Sequence, residues 1–265
     1  MGISSGIRRL EGRVTIVTGA GRGIGAAIAR RCAEAGARVV VAELNAESGE
    51  ARAEQLRQAG HDAIAIQTDV GDPASADRMV AAVVDRLGPP EVLINNAGIN
   101  VFHEPLNMPP EEWDRCMRVD LVGVWNCCRA VLPHLLARGK GSIVNIASVH
   151  SFQIIPHCFP YPVAKHGLIG LTRALAIEYA ARGIRVNAIC PGYIETELAI
   201  EYWNGFPDPE AERQRVYKIH PPGRIGTPDE VAWPAVFLAS DEAGFINGAS
   251  LTVDGGRSVQ YHEAQ

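Results

Sequence analysis

The chain has 265 residues, 47% of them hydrophobic and 21% charged, with a formal net charge of −5. It is long enough for one large α/β domain or two small ones, and the mild acidity without a basic stripe argues against nucleic acid as the main partner. Arg8-Arg9 and Arg30-Arg31 read as solvated surface pairs, and no apolar run approaches the length of a membrane span. The start, MGISSGIRRLEG, lacks the apolar core of a signal peptide and has Gly6 where myristoylation needs Ser or Thr. Six scattered cysteines (Cys32, Cys116, Cys127, Cys128, Cys158, Cys190) show no metal-ligand spacing. They read as small buried apolar residues in a reducing cytoplasm, with no metal expected.

In chain order, VTIVTG (14–19) reads as a buried strand leading into a glycine-rich turn and a helix over 23–36 closed by Gly36. Glycine lets the backbone approach a pyrophosphate at a helix N-terminus, where unpaired N–H groups and the helix dipole favour an anion. Gly19, Gly23 and Gly25 are the key positions of TGAGRGIG. RVVVAE (38–43) is a second strand ending on Glu43, where a carboxylate would bind adenosine ribose hydroxyls and repel the extra phosphate of NADP. Arg22 argues the other way, since a guanidinium there could pair with that phosphate. NAD is therefore the expected cofactor, with NADP as the alternative.

AIAIQTD (63–69) is a third strand, and Asp69 at its end could either hydrogen-bond the adenine edge or cap the following turn. Asp72-Pro73 opens a helix carrying Met79, Val80, Val83, Val84 and Leu87 at helical spacing. EVLINNAG (91–98) is a fourth strand, and a long helix is expected from about Glu111 to Ala137, kinked or ended by Pro133. GSIVNIAS (141–148) is the fifth strand and IRVNAICPG (184–192) the sixth. Thr227-Pro228-Asp229-Glu230 forms a capping box for a helix over 228–239, and SLTVDGG (250–256) is the last strand. Strands alternating with helices, and no linker between them, imply one doubly wound, mostly parallel α/β sheet with helices on both faces.

Between the fifth and sixth strands stands YPVAKHG (161–167). Tyr161 and Lys165, four positions apart, meet on one helical face. A nearby ammonium favours the phenolate and pulls a phenol down from its usual pKa of ~10, which suits proton exchange near neutrality.

TGAGRGIG, NNAG (95–98), Ser148, YPVAK and PGYIET (191–196) occur in that order, and together they resemble the short-chain dehydrogenase/reductase family over about residues 10–257. The resemblance implies a Rossmann-like domain with NAD(P) at the C-terminal ends of the strands. It implies that Ser148 polarises the substrate oxygen, that Tyr161 exchanges the proton, and that Lys165 binds the nicotinamide ribose and lowers the tyrosine pKa. Asn95, Ala97 and Gly98 match the segment supporting the cofactor, and Ile194 and Thr196 match positions holding the carboxamide. Ile24 in the glycine turn, Val70 after Asp69, and Pro191-Gly192 belong to the same cofactor surface. Asp254 matches a structural position in the last strand. One position departs: the family's Asn in V-N-L is replaced in Val119-Asp120-Leu121, so Asp120 takes the relay position. Pro162 stands where small residues are commoner, at little cost in a first helical turn. A homotetramer is also implied, with helices 111–137 and 162–181 supplying interfaces.

Segment 195–226, irregular and rich in charge, proline and aromatics, is expected to cover the substrate. Tyr193, Glu197, Tyr202, Trp203 and Arg224 are its candidate contacts. His150, Gln153 and His157 follow Ser148 closely. Such donors and acceptors suit a sugar, polyol or sugar-acid derivative, oxidised with NAD. A 3-oxoacyl or general carbonyl reductase using NADPH is the alternative, and a dinucleotide-sensing protein without turnover is a third reading.

Overall fold

A computed structural model describes residues 9–260, so Arg8 and the first residues of the chain lie outside the described part. Seven strands form one sheet: β1 (Val14–Thr18), β2 (Arg38–Glu43), β3 (Ala63–Gln67), β4 (Val92–Asn95), β6 (Gly141–Ile146), β8 (Ile184–Pro191) and β9 (Ser250–Val253). Their order is β3-β2-β1-β4-β6-β8-β9, with every neighbouring pair parallel. The chain winds outward in one direction from β1, then returns to start β4 on its other side. That reversal opens a crevice beyond the C-terminal ends of β1 and β4.

The period-2 alternation of β-strands divides the core in two. Val17, Val39 and Val41 pack with α1 (Gly23–Glu34), α2 (Ala46–Gln58) and α9 (Pro228–Ala239). Ile16, Val40 and Ala42 face the other way, onto α3 (Pro73–Leu87), α5 (Gly123–Arg138) and α6 (Tyr161–Tyr179). With both faces covered, the strands are buried runs of Val and Ile. The six cysteines are all buried and free, and burial pushes the Cys32 thiol up to about 12.

Several caps behave as their residue types dictate. The Asp72 side chain accepts the N–H of Ala74 at 3.0 Å, and Glu230 Oε2 accepts the N–H of Thr227 at 2.8 Å. Gly36 takes φ 91° just beyond α1.

Two expectations need correction, and one element goes beyond them. The helix expected over 111–137 begins as α4 (Pro110–Met117), passes through a π-helical turn at Arg118–Val122, and continues as α5 without ending at Pro133. It stops at Gly139, whose left-handed conformation (φ 68°) terminates a helix readily. A proline removes one donor and crowds one carbonyl, and packing of α5 on β4 and β6 outweighs that local loss. Segment 195–226 is not irregular: it folds as α7 (Glu197–Asn204), capped by Thr196, and α8 (Pro209–Lys218), capped by Asp208. Finally, a two-stranded ribbon of β5 (Phe102–His103) and β7 (Phe159–Pro160) lies outside the main sheet. Two-residue strands are too short to leave a periodic pattern in sequence.

Candidate active site

A cavity of about 510 Å³ runs over the C-terminal ends of the strands, from the glycine turn to Tyr161. At its first end, Arg22 caps α1 through its backbone alone, so the leading N–H groups of the helix carry no side-chain partner. Gly19 has φ 62°, and a Cβ there would lie 2.8 Å from Ala97 Cα. A Cβ on Gly25 would lie 2.1 Å from the Gly19 carbonyl oxygen, so the turn closes on the helix only if this residue has no side chain. The bare, positively polarised helix end in a cradle too tight for a Cβ fits a dinucleotide pyrophosphate.

Most of the residues singled out from sequence meet at this cavity. Gly19, Arg22, Gly23, Ile24, Glu43, Asp69 and Val70 line the first end, and Ala97, Gly98, Pro191, Gly192, Ile194 and Thr196 its middle. Asp120, Ser148, His150, Tyr161, Lys165 and Tyr193 line the other end. Glu43 Oε2 accepts the N–H of Gly21 at 2.9 Å, which fixes the carboxylate at the end of β2. Asp69 takes the turn-capping role, accepting the N–H of Gly71 at 2.8 Å. The Arg22 guanidinium is exposed and lies 3.3 Å from Glu201 on α7.

Other residues do not reach the cavity. Asn95 points into the core, where its amide donates to Asn145 Oδ1 at 2.9 Å, because the last residue of β4 still follows the strand's alternation. Its neighbour Asn96 lines the cavity instead and donates to the carbonyls of Thr18 and Gly19 at 3.0 and 2.9 Å, tying β4 to the glycine turn. Gly25 acts behind the wall, as the packing point just described. Gln153 is exposed and its amide donates to the Ser258 carbonyl. His157 is exposed in a turn at φ 64° and lines no part of the cavity. Arg224 is held by Glu230 at 2.7 Å, away from the cavity, whereas Glu197, Tyr202 and Trp203 do line it. Phe102, unremarked in the sequence, lines it too. Asp254 caps the turn after β9 by accepting the N–H groups of Gly256 and Ser258 at 2.9 and 2.7 Å.

The reacting end is built on three elements. Ser148 follows β6 and accepts the N–H of His150 at 3.1 Å, which leaves its own hydroxyl proton available. Tyr161 and Lys165 occupy the first turn of α6, with the Lys165 ammonium 5.3 Å from the centre of the phenol ring. The Ser148 hydroxyl stands near enough to the Tyr161 phenol to favour its ionised form. Lys165 is buried, donates to the Ile146 carbonyl at 3.4 Å and lies 3.5 Å from Asp120 Oδ2. Asp120, fully buried on the π-turn, accepts the N–H of Ile99 at 2.8 Å through Oδ1, while Oδ2 makes no hydrogen bond and has the Lys165 ammonium as its ion-pair partner.

The charges oppose one another. Burial raises the Tyr161 pKa, and the nearby Lys165 ammonium and Ser148 hydroxyl lower it without cancelling that rise. The phenol therefore stands above its ordinary value, contrary to the simple expectation that Lys165 would bring it down. Asp120 contributes to this, since its charge disfavours the phenolate. Burial is the largest single influence and would lower Lys165, but Asp120 and Tyr161 together, with a smaller part from Cys116, outweigh it and keep the ammonium protonated. Burial in turn raises the Asp120 carboxyl against the pull of Lys165.

Comparisons with known proteins bear on the family of the chain. A family model described as enoyl-(acyl carrier protein) reductase matches residues 19–258. D-threitol dehydrogenase of Mycolicibacterium smegmatis is 40% identical over 254 residues, covering 95% of each chain. The 3beta-hydroxysteroid dehydrogenase 1 of Eggerthella lenta is 40% identical over 252 residues, covering 94% of this chain and 95% of the other. A crystal structure of gluconate 5-dehydrogenase from Burkholderia cenocepacia J2315, in complex with NADP and tartrate, superposes with a TM-score of 0.90 at 38% identity, covering 96% of this chain and 98% of that one. With its seven-stranded parallel sheet, its glycine turn and these relatives, the chain belongs to the short-chain dehydrogenase/reductase family of oxidoreductases.

Proposed function

We propose that this enzyme is an NAD-dependent dehydrogenase interconverting a secondary alcohol and a carbonyl on a hydroxylated small molecule of the sugar, polyol or sugar-acid class. The observation that carries this reading is the convergence of Ser148, Tyr161 and Lys165 at one end of a cavity whose other end is the glycine turn. A nicotinamide dinucleotide, when bound, supplies the hydride acceptor or donor. In oxidation, the Tyr161 phenolate takes the hydroxyl proton, and the Ser148 hydroxyl donates to the same oxygen as charge develops there. The Lys165 ammonium stands behind the phenol and favours its ionised form. In reduction, Tyr161 returns the proton to the developing alkoxide.

The preference for NAD rests on Glu43, whose anchored carboxylate faces the cavity where a 2′-phosphate would have to sit. Arg22, the argument for NADP, is drawn instead toward Glu201. The substrate class draws support from relatives named for threitol and gluconate, though another is named for a steroid. Trp125 on α5 and Val163 and Ile177 on α6 are exposed apolar side chains, consistent with burial between copies in a tetramer. The test is reduction of NAD and of NADP, separately, across a panel of polyols, sugars and sugar acids. Faster turnover with NAD is expected. A clear preference for NADP would favour the alternative carbonyl reductase.

A further inference from the structure

We infer that the substrate is a neutral, ring-shaped polyhydroxylated alcohol, seated with its C–H face against aromatic side chains, and that carboxylated analogues are rejected. This rests on the dehydrogenase reading above, narrows it by excluding sugar acids and open-chain polyols, and sets this chain apart from the relatives named for threitol and gluconate.

Shape comes first. Phe102 meets the Tyr161 ring edge-on, with centroids 5.6 Å apart, and meets Tyr202 of α7 in the same way at 6.2 Å. His150 stands across from Tyr161 at 5.9 Å. The backbone of Phe102 is tied to the reacting end, because in the β5–β7 ribbon it pairs with Pro160, the residue before Tyr161. The reacting phenol thus sits among rings whose electron-rich faces attract weakly positive C–H groups. A cyclic polyol presents a persistent C–H face of that kind, whereas an open-chain polyol must lose rotational freedom to present one.

Polar groups come second. His150 Nδ1 and Trp203 Nε1 are both buried without a hydrogen-bond partner, on residues that line the cavity. Buried polar atoms rarely stay unpaired, and an indole N–H can only donate. Both atoms lie without accessible surface behind the cavity wall, so a substrate hydroxyl, which donates and accepts, serves them once the rings turn toward the cavity.

Charge comes third. Arg22, Glu43 and Asp69 line the glycine-turn end, and Glu197 lies beside Gly23. Lys165 faces Asp120 at 3.5 Å. Among the described residues no other cation lines the cavity, and burial holds His150 below its usual pKa, hence neutral at pH 7. A carboxylate bound beside Tyr161 would surrender its hydration with no positive partner in return, which is costly. In turnover the carbinol C–H leaves as hydride to the oxidised nicotinamide and the O–H proton passes to Tyr161, leaving a carbonyl product.

The test uses the full chain with NAD and a set of aldopyranoses and cyclitols, each aldopyranose beside its uronate and its alditol, read as kcat/KM. The best neutral ring should exceed its charged and open-chain counterparts by about tenfold or more. A smaller margin, or a faster uronate, overturns the inference and leaves the dehydrogenase reading standing. If no compound gives turnover that Tyr161→Phe abolishes, the dehydrogenase reading itself falls. Ile155→Arg sharpens the charge argument, because Ile155 is exposed yet lines the cavity. That variant should narrow the margin against the uronate with dinucleotide affinity unchanged. An unchanged margin counts against the inference.

Discussion

At one end of the cavity the walls are main chain. The turn after β1, the bare start of α1 and the Asn96 link from β4 approach one another so closely that Gly19 and Gly25 tolerate no side chain. At the other end the walls are side chains, among them Phe102, Tyr202 and Trp203, carried by a short ribbon and by α7. A wall of backbone amides recognises a pyrophosphate regardless of what is attached to it, so it serves a shared cofactor. A wall of side chains on elements outside the sheet can change without disturbing the core, so it is where a chain of this family acquires its own substrate. Tyr161 and Lys165 stand at the junction.

The contrast can be broken most severely at the backbone end. Gly25→Val should abolish dinucleotide binding measured by titration calorimetry and destabilise the fold, because its Cβ would fall 2.1 Å from the Gly19 oxygen. Retained affinity would mean that the close packing is unnecessary. At the junction, Ser148→Ala removes a donor to the developing oxyanion, with an expected loss of ~10²-fold in kcat and little change in cofactor affinity. A change confined to KM would assign Ser148 to substrate binding alone.

Asp120→Asn tests the electrostatics. The Asp120 charge raises Tyr161, and Lys165, Arg115 and Cys116 are the other titratable groups acting on this carboxylate or on its partners. With a neutral amide, the phenolate forms at lower pH. The acid limb of the pH profile for oxidation should therefore move down, while the limb stays put if Asp120 serves only to hold Ile99. The smallest effect belongs to the surface of α7. Glu201→Gln breaks an exposed pair with Arg22, and such pairs contribute roughly 0–1 kcal/mol. The melting temperature should hardly move, and a large fall would show that α7 is clamped to the glycine turn by charge.

The same contrast explains what could be read in the sequence. The sheet was legible because buried parallel strands are β-branched runs, as in VTIVT and RVVVAE, and because Gly36, Asp72 and the Thr227 box punctuate their helices. The glycine turn and the Tyr161–Lys165 spacing were legible because each is local in the chain. Helices α7 and α8 were missed because charge and proline obscure their short apolar faces, although Thr196 and Asp208 were both available as caps. Asn96 was missed because adjacent asparagines differ only in which way the strand turns them. Phe102 and the rise in the Tyr161 pKa depend on contacts distant in sequence, which no local pattern encodes.

The account rests on proton exchange at Tyr161 accompanying hydride transfer, and isotope transfer measures that most directly. A substrate deuterated at the carbinol carbon is incubated with oxidised dinucleotide and either the unmodified enzyme or Tyr161→Phe, and deuterium on the nicotinamide ring is followed by mass spectrometry. The unmodified enzyme should transfer the label, and the variant should bind the dinucleotide normally yet transfer it ~10²–10⁴-fold more slowly. Label transfer by Tyr161→Phe at an undiminished rate would contradict the account.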